Sequence, residues 1–207
     1  ENTEDFSRMA AMSPSDDSYF KTPVIVHAKN RIMWLLILML SATITGSIIT
    51  RYEAAFAAVP LLVSFIPMLT GTGGNCGSQT STMVIRGMSL GEIRLKDFFR
   101  VVFKEFRIAL IVSVILAVVN GIRIYITYTY FYTDTNADPL KLAVTVSLAI
   151  ISTVIMSKLI GCMLPMAAKK LKLDPAIMAA PLITTIVDTC TTLVFFNISM
   201  VIFDIHM

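Results

Sequence analysis

Charge is what this chain has least of. Only 15% of its 207 residues are Asp, Glu, Lys or Arg, against about a quarter in an ordinary soluble domain. Apolar residues make up 56%, and mean hydropathy is +0.75. Long uncharged runs in such a chain argue against a water-soluble globule and for the bilayer. Cysteine is scarce too. Cys76, Cys162 and Cys190 lie far apart in apolar surroundings, with no CxxC pair and no zinc-like spacing, so they read as small core residues. The two histidines, His27 and His206, have no partner in sequence. No Ser/His/Asp, HExxH or GxGxxG constellation is present, so no enzyme is expected. The net charge of +3 is small, and no nucleic-acid partner is expected. No internal repeat is visible, which leaves an inverted-repeat transporter plan without support. The chain opens Glu1, Asn2, Thr3 with neither Met nor a signal pattern, and the natural protein is expected to continue upstream.

What is there is a series of apolar segments. The fold expected is an all-α membrane protein with five transmembrane helices, over about 32–51, 54–86, 108–131, 140–164 and 175–203. Residues 1–30 read as a polar connecting segment with one short amphipathic helix, followed by a basic stretch at 21–31 suited to a membrane surface; residues 31–207 form the membrane domain. The second segment is unusual. Pro60 and Pro67 predict bends, and Gly71, Gly73 and Gly74 predict loosened backbone. Its polar, glycine-rich half cannot face lipid and must pack on protein or line water. The third segment ends in Tyr125, Tyr128, Tyr130, Phe131 and Tyr132, an interfacial belt. The fourth is expected to stop at Pro165, and Asp174 and Pro175 to cap the fifth.

Basic residues fix an orientation. Arg8, Lys21, Lys29 and Arg31 precede the first span, six lie in 86–107, and Lys169, Lys170 and Lys172 follow the fourth; the opposite side has only Arg51 and Lys141. This places the N-terminus in the cytoplasm and the C-terminus outside the cell membrane.

The chemistry concentrates at Asp188. It is the one acid near the centre of a span, where a carboxylate costs at least about 2.5–3.5 kcal/mol on insertion scales. A cation or pore water is the natural compensation; the bland alternative is a pair with Lys158 or Arg123, the two bases within spans. Thr184, Thr185, Thr189, Thr191 and Thr192 make this span polar around the aspartate, with Thr184 one turn earlier on the same face. Pro181 frees the carbonyl of Ile177 as a further ligand or water partner. The second element runs from Gly71 to Gln79, with Gly73, Gly74 and Asn75 inside it. Amides in a span are expensive unless hydrogen-bonded. The segment reads as a pathway lined by neutral oxygens, or as a small-residue packing seam. It lacks the GK[ST] of a phosphate loop. One carboxylate with many amide, hydroxyl and carbonyl oxygens suits hydrated Mg²⁺ and not zinc or copper, which favour His and Cys.

At PMLTGTGGNCGSQTSTMVIRGMSLGEI the sequence resembles the MgtE family of magnesium transporters, and YFKTPV and PLITTIVD fit the same pattern. The resemblance covers nearly the whole chain. It implies a homodimer of five-span chains with a pore at the dimer interface lined by spans two and five. It implies that Asp188 and the backbone carbonyl of Thr184 hold hydrated Mg²⁺, with Asn75 beside the pore. Gly73, Gly74, Gln79, Thr185, Ala180 and Pro181 are expected to line it as well. Family members usually carry a cytosolic N-terminal domain and CBS domains, which are missing here; residues 1–20 resemble the end of that region. Ala180 stands where some members have Asn, and Cys76 where many have a smaller residue. A secondary transporter for Mn²⁺ or Co²⁺, and a non-transporting membrane scaffold, are the other readings.

Overall fold

The structure, a computed structural model, describes residues 20–57, 59–132, 137–173 and 180–205. Five long helices account for most of them: α1 (Val24–Phe56), α2 (Ile66–Ser89), α3 (Phe98–Ile126), α4 (Pro139–Lys170) and α5 (Ala180–Phe203). No strand occurs among the described residues. By length and apolar composition α1, α3, α4 and α5 can each cross a membrane. α2 has 24 residues, about 36 Å of helix. It is long enough to span, but glycine, threonine and amide residues dilute its apolar character.

Several local readings change. Pro60 opens a 3₁₀ turn (Pro60–Phe65) and Pro67 stands in the first turn of α2. Both occupy positions whose N–H would be unpaired anyway, so neither kinks a helix. The glycine-rich segment is not loosened; it is continuous helix from Ile66 to Ser89, held by close packing against its neighbours. Pro165 does not end the fourth span, since α4 runs through it to Lys170. Residues 98–107, read as a basic interfacial segment, are the first turns of α3. Residues 24–31 are the first turns of α1. At the other end of α3 a π-helical turn (Thr127–Phe131) extends the aromatic belt. Asp138 caps α4 by accepting from Leu140 N at 2.9 Å, with Pro139 following it. The Asp174 and Pro175 cap, the Ile177 carbonyl and the short helix before residue 20 lie outside the described residues.

α2 is packed between α4 and α5, α3 lies along α4, and α1 touches the bundle through α5. That last contact is made by Thr45 Oγ1 and Thr189 Oγ1, 2.7 Å apart, and by the rings of Tyr52 and Phe196. The remaining surface of α1 and the outer face of α3 expose Leu, Ile, Val and Met, as surfaces adjoining lipid do. Two apolar clusters hold the bundle. One, around Leu62, Leu69, Ile124, Leu142, Val146 and Phe195, lies toward the end where α3 finishes. The other, around Val84, Met88, Cys162 and Met166, lies toward the opposite end. Between them runs a layer of glycine and hydroxyl residues.

Candidate functional site

The middle layer is built by close approach. A Cβ on Gly77 would stand 2.8 Å from Ile183, on Gly74 2.9 Å from Thr184, and on Gly73 2.7 Å from both Val187 and Thr153. Gly161 of α4 rests directly on the Gly77 carbonyl. Only glycine lets these backbones meet at such distances. The register follows from the same contacts. Position 77 faces 183 and position 73 faces 187, so α2 and α5 run antiparallel. The same register puts Asp188, one residue beyond Val187, at the level of residues 70–72, beside the start of the glycine segment.

The helices α2 to α5 carry two carboxylates between them, Glu105 and Asp188, and their surroundings differ. Glu105 Oε2 lies 3.8 Å from Lys158 Nζ, with both side chains buried or nearly so. Thr80, itself buried, donates to Glu105 Oε2 and accepts from Lys158 Nζ, each at 3.1 Å. Three helices are thus tied at one point. Asp188 is half-buried, and its carboxylate has no hydrogen bond or ion pair among the described residues. The alternative pairing of Asp188 with Lys158 or Arg123 is not formed: Lys158 is engaged by Glu105 and Thr80, and Arg123 by Asn120 and Met68. Hydroxyls near Asp188 are turned to backbone. Thr184 and Thr185 both donate to the Pro181 carbonyl at 2.9 Å, Thr189 to Thr185 O, and Thr192 to Asp188 O.

The other predicted site residues fall into two groups. Gly73 and Gly74 are buried between helices. Asn75 and Gln79 are exposed in the single chain, on a stripe with Pro67, Gly71, Met83 and Arg86 that follows one face of α2. Pro181 is half-buried, and Ala180 is the first residue of α5. No group of three or more His, Cys, Asp or Glu is clustered to hold a metal among the described residues. A cation here would keep water and meet one carboxylate per chain, as Mg²⁺ tolerates.

Sequence reasoning missed the Glu105 cluster because that acid sits among the basic residues of 86–107. A signal existed: Glu105 falls at helical spacing with Val101, Val102, Ile108 and Ala109, an inward stripe. The RGMSLGEI segment, for its part, is the last turn of α2 and the turn that follows it. Gly87 leaves room for the Ile93 side chain, Ile93 N donates to Gly87 O at 2.9 Å, and Gly91 takes a φ of +74°.

A family model, MgtE, described as a divalent cation transporter, matches residues 66–198. The chain is similar to the magnesium transporter MgtE of Bacillus subtilis, with 35% identity over 199 residues, 96% of this chain and 42% of that protein. It is similar to that of Thermus thermophilus, with 30% identity over 204 residues, 99% of this chain and 43% of that protein. For Enterococcus faecalis the identity is 28% over 199 residues. The chain spans about two fifths of the length of these curated relatives.

Proposed function

The chain belongs to the MgtE family of divalent cation transporters, and from that premise we propose that it forms the membrane pathway for Mg²⁺, lined by α2 and α5, with Asp188 as the ion's ligand. One observation carries the reading. Of the two carboxylates on α2 to α5, one is neutralised by a buried ammonium, and the other, Asp188, has no partner among the described residues. An unpaired carboxylate in a span is costly, and a passing cation offsets the cost. The cargo keeps most of its water shell, which the surrounding carbonyl and amide oxygens hydrogen-bond. The backbone carbonyl of Thr184, one turn before Asp188, and the amides of Asn75 and Gln79 serve this purpose.

A second copy of the chain completes the pathway. Asn75 and Gln79 face outward from the single chain, and an amide in lipid without a partner costs at least about 1–3 kcal/mol. A homodimer turns that stripe toward protein and water. Two Asp188 carboxylates then face one hydrated ion, whose charge relieves their repulsion. The charge asymmetry of the loops puts the N-terminus in the cytoplasm and the C-terminus outside the cell.

The test is Mg²⁺ flux into proteoliposomes. Asp188→Ala is expected to abolish flux while the protein still inserts and reconstitutes. Flux at the unmutated rate contradicts the assignment.

A further inference from the structure

Arg123 is a cation on an exposed, largely apolar stretch of α3, with no acid paired to it among the described residues. It stands in the last turn of α3, and its helical neighbours Val119 and Ile126 are exposed apolar residues. Exposed aromatics, Tyr125, Tyr130, Phe131 and Tyr132, follow within three turns, which sets the depth near the headgroups. No carboxylate among the described residues pairs with the guanidinium. Instead Asn120 Oδ1 accepts from Arg123 Nε at 3.1 Å and Nη2 at 2.7 Å, and Nη2 is 3.4 Å from Met68 Sδ. That geometry fixes the amide orientation: its oxygen is on the guanidinium, so Nδ2 points away. Nδ2 is buried and has no partner.

These groups line a cavity of about 520 Å³ together with Ser64, Phe65 and Tyr128. The Ser64 hydroxyl is already committed to Leu61 O at 2.7 Å, and Phe65 and Tyr128 meet edge to face. The cavity therefore offers the remaining guanidinium N–H donors under a net positive charge, with apolar walls from Phe65 and Met68. A donor-only, cationic, half-apolar pocket selects an oxyanion that carries hydrocarbon. The planar guanidinium fork matches phosphate. We propose that this cavity binds the phosphate of an anionic phospholipid, with Arg123 as the ligand and Asn120, through its Oδ1, holding the guanidinium in place.

The experiment is native mass spectrometry of the intact protein in detergent, titrated with phosphatidylglycerol, phosphatidylcholine or inorganic phosphate. The expected result is phosphatidylglycerol binding at least about fivefold tighter than phosphatidylcholine, as a charge-assisted bidentate contact allows. Arg123→Gln should remove that preference. Asn120→Asp, nearly isosteric, supplies an internal counter-charge and should remove it too, which guards against a folding defect in the first variant. A preference unchanged in both variants overturns the proposal. So does competition by inorganic phosphate, which would mark a site for free anions. Loss of dimer in Arg123→Gln with no change in lipid binding also overturns it, since the surface would then belong to a second copy.

Discussion

Asp188 and Gly161 mark the two ways in which a single residue matters here. On the proposed reading, Asp188 burdens the fold for the sake of the ion. Without Mg²⁺ its unpaired carboxylate contributes only desolvation, so Asp188→Asn should unfold at a temperature equal to or above that of the unmutated protein in a chelator. The same variant should lose the stabilisation that Mg²⁺ gives. Thermal unfolding with and without millimolar Mg²⁺ checks both; a large destabilisation in chelator would mean that Asp188 has a structural partner. Gly161 matters by its lack of a side chain. A Cβ there meets the Gly77 carbonyl, so Gly161→Ala should cost about 1–3 kcal/mol through displaced helices. Gly46 has nothing within 4 Å of its Cβ position, so Gly46→Ala should be neutral or stabilising by up to about 1 kcal/mol. Equal effects of the two in reversible unfolding would contradict the packing account.

At the level of helices, the tie among α2, α3 and α4 is a buried pair of charges joined by one hydroxyl. Removing one partner leaves the other charge uncompensated, so Lys158→Met should destabilise by about 3–5 kcal/mol, and adding Glu105→Gln should restore most of it. A double-mutant cycle in unfolding measurements reads this directly; additive losses would show that the two groups act independently. This tie also shows where the sequence was legible. The five helices were readable because apolar runs of spanning length have few alternatives in a chain so poor in charge. Asp188 was readable because no other acid lies near the centre of a span. Glu105 was not, because its charge among Arg100, Lys104 and Arg107 masked the inward stripe on which it lies. Pro60, Pro67 and the glycines were misread for a related reason. Local propensity predicts bends and loosening, but the prolines fall in first turns, and the glycines are where α4 and α5 press on α2. The alternative reading of the segment as a small-residue packing seam anticipated this contact, and the packed bundle shows which helices it meets.

In the whole molecule, the exposed polar stripe of α2 is the surface that a single chain leaves unsatisfied. If a second copy covers it, Gln79→Cys in a background with Cys76, Cys162 and Cys190 replaced should cross-link between chains in native membranes. Val119→Cys, on the lipid-facing side of α3, should not. Cross-linking at Val119 and none at Gln79 would relocate the interface. Gly71 lies on the same stripe with open space around it. Gly71→Leu should therefore leave the single-chain fold intact, since nothing within the chain opposes the larger side chain, and still reduce Mg²⁺ flux by obstructing the shared pathway. The pathway itself is tested most directly by an experimental structure of the protein determined in Mg²⁺ and again in chelator. The account predicts a hydrated cation between the Asp188 carboxylates of two copies in Mg²⁺, absent in chelator and absent from Asp188→Asn. A Mg²⁺-conducting protein with no cation at Asp188, or with its ion bound elsewhere along the helices, would contradict it.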